Sequence, residues 1–134
     1  MRVDPFGLDL DWFAIDAHGR LGYFTSGGSD CVPAMCLSGD FPTAAIRGYF
    51  LGLKASGGCV AVTGRDGDDG DWRTMAAIGL HSFDWNMDRN GPYELIYRPG
   101  RALVASEISA TIRDLLPVLE GCEFTSASVS FMAD

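Results

Sequence analysis

A chain of 134 residues, 47% apolar, with a formal charge of −8, is the size of one domain and can fill a two-layer core. Eighteen acidic against ten basic residues argue against a broad basic face, so neither nucleic acid nor an anionic membrane surface is an expected partner. The plainer use of the acidity is solubility; the sharper one is an acidic face that meets a basic protein.

The first predicted element is a β-hairpin over about residues 12–25. Trp12, Phe13, Ala14 and Ile15 form one short β-type run, and Leu21, Gly22, Tyr23 and Phe24 form the second. Between them, Asp16 and Gly19 occupy the first and fourth positions of a type I turn. Ser26 to Asp30 read as a flexible loop, with no lysine that would make the glycines a phosphate loop. A helix is predicted over about residues 41–53, with Asp40 as its cap, Pro42 in its first turn, and Ile46, Tyr49, Phe50 and Leu53 at helical spacing.

The apolar run from Cys59 to Thr63 predicts a strand. Gly64 to Asp71 have no hydrophobic anchor and read as a solvated loop. Residues 74–83 alternate with apolar side chains on both faces, predicting a central strand covered on both sides. Asp88 to Gly91 form a turn into a strand carrying Tyr93, Leu95 and Tyr97 on one face. Ser106 and Glu107 suit the start of a helix whose apolar stripe is Ile108, Ile112, Leu115, Leu116 and Leu119, kinked or ended by Pro117. The tail, with Phe124, Val129 and Phe131, predicts an edge strand. The order β-β-α-β-β-β-α-β lacks the alternation of a doubly wound fold. It predicts a single α+β domain over residues 1–134, a mostly antiparallel β-sheet with two helices packed against it.

Chemistry-bearing motifs are sparse. Residues 1–10 have charged and polar breaks in place of a signal peptide's apolar stretch, and no run reaches the ~20 apolar residues of a membrane span. A cytoplasmic location is therefore expected, with Cys31, Cys36, Cys59 and Cys122 as free thiols in apolar surroundings. The spacing of Cys31 and Cys36 suits neither zinc nor a redox motif. Asp66, Asp68, Asp69 and Asp71 resemble a calcium loop only in acidity. Counted from Asp66, Gly70 falls on the fifth ligand position and Ala77 on the twelfth, where a glutamate is required. No nucleophile elbow, dinucleotide fingerprint or paired-carboxylate spacing is present, so no catalytic residue, metal or cofactor is expected. An enzyme would have to assemble its site from non-adjacent groups, such as Cys36 or Cys59 with His81. Trp12 is expected in the core. Trp72 and Trp85, which border turns and follow Asp71 and Asp84, have the composition of protein-binding anchors.

Two segments, Asp11 to Gly28 and Ala77 to Asp84, followed by Gly91 to Ile96 and the predicted 108–119 helix, together resemble a group of small bacterial proteins found as immunity-like proteins beside polymorphic toxins. The matching features are structural, so the resemblance carries over a fold and no functional residues. It implies an immunity protein that binds and neutralises a cognate bacterial toxin. A non-enzymatic adaptor, and more remotely a small Cys/His enzyme, are the alternatives. The expected partner is a toxin or other basic protein, bound through Asp66, Asp68, Asp69, Asp71, Trp72, Asp84, Trp85 and Asp88.

Overall fold

The alternation of the first hairpin organises the whole molecule, because it sends large side chains to both faces of a sheet. A computed structural model describes residues 3–55, 57–62 and 70–132. Strands β1 (Asp11–Asp16) and β2 (Leu21–Thr25) pair antiparallel, with Trp12 opposite Phe24 and Phe13 opposite Tyr23. Gly19 takes the positive φ that the turn requires, at +82°. Helix α1 (Thr43–Leu51) lies within the predicted span and buries Ile46 and Phe50. Its N-cap is Pro42 rather than Asp40, and no side chain caps it. Strand β3 (Cys59–Ala61) is short and largely exposed.

The predicted central strand over residues 74–83 needs correction. Its first half is helix α2 (Gly70–Ile78), and only the end is strand β4 (His81–Trp85). Trp72, Met75 and Ala76 have i, i+3, i+4 spacing and pack inward, and a short run apolar on every side does not distinguish the two periods. Gly79 makes the junction. Its φ is +132°, and a Cβ there would lie 2.6 Å from Leu103 Cβ and 2.8 Å from its backbone N.

Strand β5 (Tyr93–Pro99) follows the predicted turn. The long helix over residues 108–119 is not formed. A 3-10 turn (Ala105–Glu107) and the single-turn helix α3 (Ala110–Arg113) replace it, and strand β6 (Val118–Leu119) follows. Pro117 disfavours helix at the residue before it, and its carbonyl accepts the Ile15 N–H at 2.9 Å, which recruits the chain into the sheet. Ser106 is not an N-cap; Glu107 nevertheless accepts the Val104 N–H at 3.1 Å. Strand β7 (Ser128–Val129) supplies the expected edge in the tail.

The strand order is β3-β5-β4-β2-β1-β6, with β7 also on β5. The fold is α+β as expected, but the sheet is mixed: β1–β6 and β2–β4 are parallel, and the other pairings among the described residues are antiparallel. Among the described residues there are three α-helices instead of two.

Both faces of the sheet are covered. On one, Phe13, Ile15, Leu21 and Tyr23 pack against Ile46, Phe50, Met75, Ile78, Ile108 and Leu116. On the other, Trp12, Phe24 and Phe83 stack in register across β1, β2 and β4, with centroids 4.2 and 4.8 Å apart. Val32, Leu37, Phe124 and Val129 close that face from irregular segments and the tail. Each such aromatic is worth about 2–3 kcal/mol in burial, which explains how segments with little regular structure hold a layer. Among the described residues no helix is long and apolar enough to cross a membrane.

Candidate functional site

Sheet register brings polar residues from four strands into one row. Asp11 on β1 lies opposite Thr25 on β2, Thr25 beside Asp84 on β4, and Asp84 opposite Glu94 on β5. The row sits at one end of the sheet. The helices complete it on their side: Arg47 reaches in from α1, and Asp71 and Trp72 from the first turn of α2.

Two hydrogen-bonded chains hold this cluster. Arg47 Nη1 donates to Asp11 Oδ2, while its Nη2 donates to Asp71 Oδ2 at 2.8 Å. The Tyr23 hydroxyl also donates to Asp11 Oδ2, at 3.2 Å. In the second chain, Trp72 Nε1 donates to Thr25 Oγ1 at 2.9 Å, and that hydroxyl donates to Asp84 Oδ1 at 2.6 Å. Pairing with Asp71, aided by Tyr23 and Asp11, holds the Arg47 guanidinium more firmly protonated than usual. Burial, reinforced by the Asp11 charge, pushes the Tyr23 phenol up. The arrangement is a fixed, half-exposed set of carboxylates with an amphipathic tryptophan among them.

The predicted interface residues divide. Asp71, Trp72 and Asp84 meet in this cluster. Trp85 is half-buried on the other face of β4 and packs edge-on against Tyr93 with centroids 5.0 Å apart. Asp88 is exposed in the β4–β5 turn. Asp66, Asp68 and Asp69 lie outside the described residues. Arg47, Asp11, Thr25 and Glu94 were missed by sequence reading. The signal available for three of them was their place at the strand ends, which only the register makes into a row.

The Cys/His pairing is not formed. His81 is buried, and its Nδ1 has no hydrogen-bond partner among the described residues. Burial pushes the Cys36 thiol up to about 12, leaving it protonated and unreactive near neutral pH. Among the described residues, no three metal-ligating side chains gather into a site.

No protein family, curated protein or solved structure matches this chain. Function must therefore be argued from the site itself.

The opposite end of the sheet treats a carboxylate differently. Asp16 is buried, and both its oxygens are filled: Oδ1 by the His18 and Arg20 N–H groups at 2.9 Å each, Oδ2 by the Phe124 N–H at 2.8 Å and by Arg20 Nη1 at 3.3 Å. Burial works to raise its pKa, but these donors outweigh it and hold the carboxyl below its usual range. Asp16 ties the hairpin turn to the tail.

Proposed function

We propose that this protein acts by binding a basic protein through the acidic end of its sheet, as an immunity protein that neutralises a cognate toxin. The observation that carries the reading is the cross-strand row of Asp11, Thr25, Asp84 and Glu94, to which α2 adds Asp71. Like charges placed directly opposite on neighbouring strands cost stability, as Asp84 and Glu94 are here. A cationic surface that docks on the row adds favourable charge contacts to these carboxylates. Complementary charge also speeds encounter and makes it sensitive to salt. Trp72 gives the same surface an amphipathic side chain of the type enriched at binding hot spots. In the sequence, Asp66, Asp68 and Asp69 immediately precede α2 and add to the acidity of the segment that carries Asp71.

Affinity capture of the tagged chain from its native host, at low and high salt, tests the proposal. The expected result is one stoichiometric basic protein, with toxic activity that the chain suppresses, released as salt rises. Reversing the charge of Asp66, Asp68, Asp69 and Asp71 should slow association and flatten its salt dependence. Absence of a stoichiometric partner at either salt would overturn the reading.

A further inference from the structure

Next to the acidic row, at the same end of the sheet, three segments are stitched into an exposed apolar platform. The N-terminal arm is held by the Gly7 N–H on the Gly28 carbonyl at 3.0 Å and by the Ser26 hydroxyl, which donates to the Leu8 carbonyl at 3.1 Å and accepts the Leu10 N–H at 2.8 Å. The Asp9 carboxylate accepts the Gly27 N–H at 3.1 Å. On the other side of this loop lies the β4–β5 turn. A Cβ on Gly27, at φ +55°, would sit 3.2 Å from Met87 Cγ and 3.7 Å from Trp85 Cβ. The glycine therefore lets Met87 close over the loop, with Trp85 beneath.

The anchoring is tight, yet the side chains it presents are apolar and outward. Phe6 is 77% exposed, Met87 68% and Leu8 48%. Phe6 and Leu8 stand on an arm held by these four hydrogen bonds, and Met87 packs against the loop, so their exposure does not come from a loose arm. Their rim is acidic. Asp4 accepts the Phe6 N–H, Asp30 shares a cleft with Val3, Asp4 and Pro5, Asp9 binds the loop, and Asp88 adjoins Met87. Among the described residues of the three segments, Arg89 is the one basic side chain.

We infer that this platform docks a cationic segment of a partner protein that carries apolar side chains at its centre, with Phe6, Leu8 and Met87 as the contact and Asp4, Asp9, Asp30 and Asp88 as the charged rim. The charge of the rim selects the occupant. A second copy of this chain would bring a net −8 against it, and an acidic or neutral apolar segment would leave the carboxylates desolvated without counter-charge. Met87 makes the contact adaptable, since methionine follows the shape of what it meets. The inference rests on the proposed basic partner and adds to it where the non-electrostatic part of the affinity resides.

The test uses the full chain and two synthetic peptides: one rich in lysine with a central pair of leucines, the other identical except for serines in place of the leucines. Binding is followed by titration of backbone amide and methionine-methyl resonances. The leucine peptide should bind about tenfold tighter, the factor expected from burying roughly 1.4 kcal/mol of apolar contact. Shifts should centre on Gly27, Gly28 and the Met87 methyl. Phe6→Ala and Met87→Ala, both at exposed positions, should each remove most of that margin without changing the salt dependence. Equal binding of the two peptides at the acidic end would overturn the apolar platform and leave the acidic row standing. Failure of both peptides to bind at low salt would overturn the charge reading as well. Self-association that Phe6→Ala abolishes would assign the platform to a second copy and overturn the inference.

Discussion

Strand β1 carries an aspartate at each end, and the two do opposite work. Asp16 is buried beneath the hairpin turn with four donors on its two oxygens. Asp11 is half-exposed and shares Arg47 with Asp71, in a row that continues through Asp84 to Glu94. At the first end, chain segments supply the donors, so a carboxylate becomes a structural tie between residues 16–20 and 124. At the second, side chains supply the donors, with Arg47 bridging Asp11 and Asp71 and Thr25 bonded to Asp84, and the carboxylates stay partly exposed. The same chemical group is buried and tied to backbone amides at one end, and partly exposed among side chains at the other.

Removing the tie should have the largest effect. Asp16→Ala orphans the Phe124 N–H and the turn amides, and should cost about 3 kcal/mol. That corresponds to a fall in Tm of about 10 °C for a domain of this size. Calorimetry at neutral pH measures it, and a loss under about 1 kcal/mol would show that the turn holds without the carboxylate.

Acid should attack the same end first, in two separate windows. Burial is the largest influence on His81 and lowers its pKa, with Arg20 and Arg98 in support; the Leu21 backbone hydrogen bond and the Asp16 charge act the other way. The unfolded chain then takes up this proton first. Stability is full above the unfolded value of about 6.5 and falls as pH drops below it. Asp16, with a depressed pKa, contributes stability that is present above about 3.9 and disappears as pH falls through its lower folded value. His81→Leu should flatten the slope of stability against pH just below neutrality and leave the lower acid limb in place. A native His81 imidazole that titrates at its ordinary value by NMR would refute the first window.

The two ends also differ in how much of each was visible before folding. The closed end was legible in its turn: Asp16 and Gly19 stand at the turn positions that their chemistry favours, between runs of clear β type. Its bond to Phe124 was not, because that contact spans 108 positions of chain. The open end was legible only as acidity and exposed tryptophan. Asp71, Trp72 and Asp84 were singled out from composition beside turns. Arg47 and Asp11 needed the packing of α1 onto β1. The helix α2 was misread because Met75, Ala76, Ala77 and Ile78 are apolar at every position, so alternation and helical spacing fit equally well. The helix expected after Ser106 failed for a different reason. Pro117 and the open edge of β1 offered the chain a strand pairing in its place.

At the open end, substitutions should move charge more than stability. Arg47→Met leaves Asp11 and Asp71 without their shared cation. The cost should be about 1–2 kcal/mol, because the groups are only partly buried and water screens what remains. Asp11→Asn in the same chain should recover part of it by removing one of the unpaired charges. The loss should shrink as salt rises, whereas that of Asp16→Ala should stay constant. Equal salt dependence of the two would erase the distinction between the ends.

The smallest effect tests whether the row is wired together. Thr25 Oγ1 stands between Trp72 Nε1 and Asp84 Oδ1, accepting from one and donating to the other. Thr25→Val keeps the shape and the β-branch but removes both bonds. Stability should fall by about 1 kcal/mol, since both partners are half-exposed and can turn to water. The Trp72 side chain should loosen from the sheet, so tryptophan emission should shift to the red and become easier to quench, and Asp84 should gain exposure. If the row works as one surface, binding of a basic partner should weaken more than stability does, because Trp72 and Asp84 lose their fixed relation. If instead emission is unchanged while stability falls, packing against the core alone places Trp72, and the hydroxyl is a local bond with no part in presenting the acidic face.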